Sequence, residues 1–289
     1  MFITAENLSF QYTLEKQVIN GVSFTLPKSK TLSIVGASGC GKSTLLRIIS
    51  SILPNAKENQ LGGKISIQGL SPDEYRRSGK LAFMFQEATL MPNLTVMENI
   101  TLPLKVKGIA DSERVATLLE TVGLAEYASY LPKQLSGGMK TRVALARSFV
   151  TGPELLLLDE PFSALDIAWK SRLYIELERL LERYHTTVVF VTHDVQEALL
   201  LSNDVLVLNR VGEVQARYAV TSSKSISERV YDITGFMNEV YADYMLPIQD
   251  DIIKGVGGRG VRVKSVPTIK EAATTTNGKN EEVDSISIA

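Results

Sequence analysis

Thr31-Leu32-Ser33-Ile34-Val35-Gly36-Ala37-Ser38-Gly39-Cys40-Gly41-Lys42-Ser43-Thr44-Leu45-Leu46-Arg47-Ile48-Ile49 decides the fold of this chain. Its first five residues read as a short buried strand and Thr44–Ile49 as a helix, and the loop between them fits G-x-x-x-x-G-K-[ST] in full. Glycines allow backbone conformations that a Cβ forbids, so successive N–H groups turn inward on a β-phosphate, and the positive end of the new helix favours the anion. Lys42 is expected to span β- and γ-phosphate oxygens, and the Ser43 hydroxyl to ligate Mg²⁺. The competing reading is a glycine-rich turn that binds nothing.

Further along, Leu155-Leu156-Leu157-Leu158-Asp159-Glu160 has the pattern of a central parallel strand whose carboxyl end opens on the phosphate site. Asp159 is expected to hold Mg²⁺ through its water shell. Glu160, at the mouth of the strand, is placed to accept a proton from, or to orient, the water that attacks the γ-phosphate. Thr187-Val188-Val189-Phe190-Val191-Thr192 is a second buried strand and ends at His193, within reach of the γ-phosphate or that water. His185 lacks such a context and reads as a surface residue. A third signal is Leu135-Ser136-Gly137-Gly138, where Ser136 is an N-cap candidate for a helix through Met139–Arg147. The N–H groups of Ser136, Gly137 and Gly138 then face outward at a helix N-terminus as a second anion site.

Taken in order, these motifs resemble the nucleotide-binding subunit of ATP-binding cassette (ABC) transporters, over about residues 2–215. The resemblance implies an α/β P-loop NTPase with a mostly parallel central sheet, an N-terminal antiparallel β subdomain and an inserted helical subdomain at about residues 87–150, all within an ATPase domain of residues 1–215. It implies ATP and Mg²⁺ as cofactors. The phosphate contacts fall on Gly36, Ser38, Gly39, Cys40, Gly41, Lys42, Ser43 and Thr44, and the metal contacts on Ser43, Gln86 and Asp159. Tyr12 falls where the family stacks an aromatic ring on adenine, with Phe10 as the competitor. Gln86, after the strand Leu81–Phe85, matches the glutamine that reaches Mg²⁺ and the attacking water, so that Gln86, Glu160 and His193 form the catalytic group. Ser136, Gly137 and Gly138 match the loop that closes over the γ-phosphate of a second copy, with Met139 where many members carry glutamine. Ser163-Ala164-Leu165-Asp166 matches the loop that links the two sites of such a dimer.

Composition agrees. The 289 residues suffice for a large α/β domain with a small lobe, and 31 basic against 32 acidic residues predict no general attraction to nucleic acid or anionic lipid. No run approaches a membrane span, and Met1-Phe2-Ile3-Thr4-Ala5-Glu6 lacks the features of a signal peptide. The single cysteine, Cys40, allows no internal disulfide and suits a reducing compartment. With the resemblance, the expected site of action is the cytoplasmic face of the inner membrane. The expected partners there are a second ATPase subunit, integral membrane permease subunits and a separate solute-binding protein.

Between Gln86 and Leu135 the strand series is interrupted, and Asp111–Gly123 predicts a helix with Asp111 as N-cap and Gly123 as its stop. Ala88–Leu94 gives this lobe an apolar surface for a membrane subunit, or a loop that packs on the lobe itself. Ile226–Met245 predicts a single helix in a C-terminal extension of residues 216–245, and the polar composition from Leu246 to Ala289 predicts a flexible tail. Gly255-Val256-Gly257-Gly258-Arg259-Gly260 fits G-x-G-x-x-G with no strand before it and reads as a decoy. Three functions stay open: an importer ATPase, an exporter or lipid-extracting ATPase, and a soluble cassette protein. The third is disfavoured by a single cassette and no sustained heptads. Arg142–Arg147 after the Ser136 loop, and Asp159–Asp166, resemble the nitrate, sulfonate and taurine importer subunits.

Overall fold

Two long antiparallel strands, β1 (Ile3–Thr13) and β2 (Lys16–Leu26), precede the fully buried strand β3 (Thr31–Gly36) and the helix α1 (Lys42–Ser50) of the decisive segment. The computed structural model describes residues 1–13, 16–53, 61–220, 224–240, 246–254 and 262–264. β4 (Leu61–Ile67) pairs with β1 and completes an antiparallel sheet in the order β2-β1-β4. After α2 (Pro72–Arg77) and β5 (Leu81–Met84), three helices follow without a strand: α3 (Val96–Val106), α4 (Ser112–Thr121) and α5 (Gly137–Phe149). Strands and helices then alternate through β6 (Leu155–Asp159), α6 (Ile167–Tyr184), β7 (Thr187–Val191), α7 (Val195–Leu201), β8 (Asp204–Leu208) and β9 (Val214–Ala219). The last described elements are α8 (Ile226–Tyr231), α9 (Ile233–Val240), α10 (Leu246–Lys254) and β10 (Arg262–Lys264).

The second sheet runs β10-β9-β8-β3-β7-β6-β5, parallel from β8 to β5 and antiparallel only between β8 and β9. β3, β6 and β7 are buried at every residue, as strands covered on both faces must be, which is why they read as apolar runs and not as alternating ones. Their alternate side chains feed two cores. Leu156, Leu158, Val188 and Phe190 pack with α3 to α7, whereas Leu155, Leu157, Val189 and Val191 pack with α1 and the antiparallel sheet. Register brings Gly36 beside Leu208, Met84 beside Leu158 and Asp159 beside Val191, so the carboxyl ends of β3, β5, β6 and β7 open on one side. Open α/β sheets bind ligands at that edge.

In the helical lobe α4 and α5 form as expected. Asp111 accepts from Arg114 N–H and Ser136 from Met139 N–H, each satisfying a donor that a helix start leaves bare. The helix α3 is new. Thr95 and Glu98 cap it reciprocally, at 3.2 Å for Glu98 N–H on Thr95 Oγ1 and 2.8 Å for Thr95 N–H on Glu98 Oε2. Thr95→Ala is expected to lower stability by about 1 kcal/mol, measured by urea unfolding; an unchanged midpoint would mean that packing alone holds α3. The lobe meets α6 at both its ends, at Tyr184 through Arg114 and at Trp169. The Arg142 guanidinium lies 3.8 Å above the Trp169 ring and donates to Val122 O at 2.8 Å, and a Cβ on Gly123 would stand 2.3 Å from the indole. With its φ of 63° as well, position 123 accepts only glycine.

Three expectations about the C-terminal part are corrected. Ile226–Met245 is not one helix over its described residues, because Asp232 breaks it between α8 and α9 and its carboxylate accepts from Gly235 N–H at 3.0 Å, the local bond by which Asp restarts helices. The boundary between residues 215 and 216 falls inside β9. The tail assigned to 246–289 begins with a helix, α10, whose Ile248 is fully buried in the main core with Ile252 packed beside it. Residues 262–264 add a parallel strand to β9. A mean polar composition hid that short apolar stripe. The Gly255–Gly260 motif and Tyr244 lie outside the described residues. Among the described residues, no helix is long and apolar enough to cross a membrane.

Candidate functional site

Of α1 to α8, only α1 begins without a side-chain cap. Its N-cap is Gly41 at φ 100°, where a Cβ would stand 2.6 Å from Val18 O. The first-turn N–H groups are therefore left for a ligand, which is how a helix N-terminus becomes an anion site. Gly39, at φ 80°, faces open space. Lys42 is buried, and its ammonium donates to Gly36 O at 2.9 Å and Ala37 O at 3.0 Å. No carboxylate lies within ion-pair distance of it among the described residues. Two loop carbonyls thus hold the ammonium in place beside the uncapped start of α1, where an incoming anion can meet it.

A cavity of 370 Å³ opens on this loop, lined by Tyr12, Val18, Ser38, Gly39, Gly41, Lys42, Ser43, Thr44, Gln86 and Glu160. Tyr12 is 38% exposed and its hydroxyl lies 3.2 Å from Thr44 Oγ1, while Phe10 stands edge-on to it and is sealed in the core. Of the two aromatic candidates, only Tyr12 offers a face to the cavity. Ser43 Oγ donates to Asp159 Oδ1 at 2.8 Å. Burial pushes the Asp159 carboxyl above its usual range against the bond from Ser43 and the nearby Arg47, and a cation beside it would favour the ionised form. Burial likewise pushes the Cys40 thiol up against the attraction of Lys42, so Cys40 is a packing residue of the loop.

Glu160 is the meeting point of the other residues. Gln86 Nε2 donates to its Oε2 at 3.3 Å, and His193 Nδ1 lies 3.4 Å from the same oxygen. Its backbone sits at φ 46°, unusual for a residue with a Cβ, and is held there by a bond from Glu160 N–H to Val191 O at 3.1 Å and one from Ser163 Oγ to Glu160 O at 3.1 Å. Such strain persists where the surroundings over-determine it, and it points this carboxylate out of the strand end.

Ser136, Gly137, Gly138 and Asp166 do not line this cavity. Ser136 and Gly137 are exposed at the N-terminus of α5, a Cβ on Gly138 would stand 3.2 Å from Ala164 O, and Asp166 is the N-cap of α6. The two loops therefore pack together on the surface. His185 is an exposed C-cap at φ 50°. Sequence reading had no role for Arg147. Its guanidinium donates to Ala88 O at 3.0 Å and to Thr89 O at 3.0 Å, fastening the segment after Gln86 to α5. The signal for it was an arginine four residues after Val143, on the buried stripe of a helix.

No group of three or more His, Cys, Asp or Glu side chains that could hold a metal occurs among the described residues. One carboxylate beside one hydroxyl does suit Mg²⁺, which takes few protein ligands and completes its shell with phosphates and water.

A family model described as ABC transporter matches residues 19–163. The chain is 44% identical over 196 residues to an aliphatic sulfonates import ATP-binding protein of Pseudomonas syringae, covering 66% of this chain and 74% of that one. It is 42% identical over 201 residues to a spermidine/putrescine import ATP-binding protein of Thermotoga maritima, covering 68% of this chain. It spans only about half of that relative, 53% of its length. Among solved structures, a dimeric post-hydrolysis state of the ATP-binding cassette MJ0796, bound to ADP and Pi, superposes with a TM-score of 0.67. That match is 31% identical over 76% of this chain and 99% of the other.

Proposed function

The chain belongs to the ABC transporter family and is an ATPase; from that premise we propose that it energises an importer of a small organic solute from the cytoplasmic face of the membrane. The observation that carries the reading is the uncapped start of α1 over Lys42, with Gln86, Glu160 and His193 gathered at its open side. Lys42 binds phosphate oxygens, the N–H groups of Gly39 to Ser43 cradle them, and Glu160 takes a proton from the attacking water while Gln86 and His193 orient its carboxylate. Mg²⁺ would be held by Ser43, by Gln86 and, through water, by Asp159, and would neutralise phosphate charge. Removal of Mg²⁺ by EDTA is expected to abolish phosphate release, and hydrolysis that survives chelation would remove the metal from the reading.

Tyr12 stacks on the adenine. Tyr12→Ala is expected to weaken ATP binding by roughly tenfold, since a base on an aromatic face contributes about 1–3 kcal/mol. An equal loss of affinity for a nucleotide with no aromatic base would argue instead for damage to the loop.

Two copies related by a two-fold axis close on each other, the Ser136–Gly138 turn of each covering the γ-phosphate in the other, and Asp166 joins the two sites. The dimer of the MJ0796 cassette supports this arrangement. Residues 87–150 form the lobe that docks on the membrane subunits, and a separate solute-binding protein delivers the cargo. For the solute, the sulfonate-importing relatives favour an aliphatic sulfonate, and the polyamine-importing relative favours a second reading, a polyamine. The complex isolated through this chain from its native membranes, rebuilt in vesicles, tests both. ATP-driven uptake of a labelled sulfonate supports the first, uptake of spermidine the second, and efflux of either overturns import.

A further inference from the structure

Glu197 lies on α7, four residues past His193, and its side chain is only 6% exposed. A carboxylate so placed is costly to desolvate unless its oxygens are met by donors. Three donors meet them. Lys170 Nζ lies 2.6 Å and Tyr174 OH 3.2 Å from Oε1, and Thr192 Oγ1 donates to Oε2 at 2.7 Å. Burial first, and then the facing carboxylate, push the Tyr174 phenol well above its usual range, so it stays a donor.

The donors come from two places that matter to hydrolysis. Lys170 and Tyr174 belong to α6, whose N-cap is Asp166, and Thr192 is the residue before His193. Asp194, on its other side, donates its N–H to Thr192 Oγ1 at 3.0 Å and accepts from Gln196 N–H at 2.9 Å. His193 itself is 62% exposed, and its Nδ1 stands 3.4 Å from Glu160 Oε2. Its imidazole is thus aimed by the backbone on either side, and that backbone is pinned through Thr192 to Glu197. A buried ion pair is poor evidence for stability, because apolar side chains of similar volume hold two helices at least as well. What the charged pair adds here is one geometry.

We propose that Glu197 is a positioning residue for ATP hydrolysis: through Thr192 it aims His193 at Glu160, and through Lys170 it ties that aim to α6 and the Asp166 turn. This rests on the reading of Glu160 and His193 as the hydrolytic pair.

The test uses Glu197→Gln, which keeps size and removes charge, Thr192→Val, which cuts only the hydroxyl link, and as a control Arg179→Ala, which removes an exposed pair with Glu176 on α6. Glu197→Gln and Thr192→Val are expected to lower kcat about tenfold with KM for ATP within about twofold, and Arg179→Ala to leave both unchanged. In a His193→Ala background, Glu197→Gln is expected to cost nothing further, as residues acting through one another do not add. A second readout needs no turnover. The chain has 2 histidines, so the His193 ring proton resonance is identified by its loss in His193→Ala. It is expected to shift in Glu197→Gln and Thr192→Val and to stay in Arg179→Ala. Equal loss of kcat with and without His193, or an unmoved resonance in Thr192→Val, overturns the proposal, and Thr192→Val decides alone if Glu197→Gln does not fold. Shifted resonances in a chain that hydrolyses no ATP would instead overturn the hydrolytic reading of the pair.

Discussion

Glu160→Gln is expected to lower ATP turnover by about a thousandfold while leaving ATP affinity nearly unchanged, because a positioned general base contributes roughly 10²–10⁴-fold. The amide keeps the shape of the side chain. It also leaves the backbone bonds to Val191 and Ser163 that hold residue 160 at φ 46°. What it removes is the proton acceptor shared by Gln86 and His193. Phosphate release measures the loss, and equilibrium binding of ATP checks that the cradle is intact. With hydrolysis stopped, the molar mass in solution with ATP and Mg²⁺ is expected to double. Full activity would take Glu160 out of its role, and a monomer with ATP would put the composite site in doubt unless the membrane subunits restore the dimer.

Lys42→Ala acts one step earlier, on binding. Hydrogen bonds to charged groups contribute about 1.5–3 kcal/mol, so ATP affinity is expected to fall by about 10- to 100-fold. The change also strips Gly36 O and Ala37 O of their donor, so a thermal unfolding scan must accompany the binding measurement. A folded Lys42→Ala protein with unchanged affinity would refute the phosphate-loop reading. The two variants separate chemistry from binding, since Glu160→Gln still binds what Lys42→Ala does not.

What the sequence discloses depends on how local the physics is. The loop proposed to hold phosphate is legible because its parts, glycine torsions, helix start and Lys42, lie within one short segment. The apolar runs of β3, β6 and β7 likewise state their own burial. In α3 the local signals conflict: Val96, Ile100 and Leu104 are spaced for a helix and Thr95 with Glu98 announces its start, but Pro103 inside it argues for a loop. Its tertiary packing overrides that signal. The C-terminal part failed for a related reason, since two isoleucines four residues apart carry the docking of α10 inside a segment that is polar when averaged from Leu246 to Ala289. Pairings across the chain, such as Arg147 with Thr89 or Lys170 with Glu197, have no local pattern at all and emerge only when the sheet brings distant segments together.

The seam between the lobe and α6 gives the molecule its own optical probe. The chain contains 1 tryptophan, and that ring lies beneath the Arg142 guanidinium at 3.8 Å, against Gly123 of the lobe just past α4. All indole emission therefore originates at the contact between the lobe and the nucleotide-binding core. Any rotation of one against the other slides the cation off the ring, and it registers as a change of intensity and wavelength without a label.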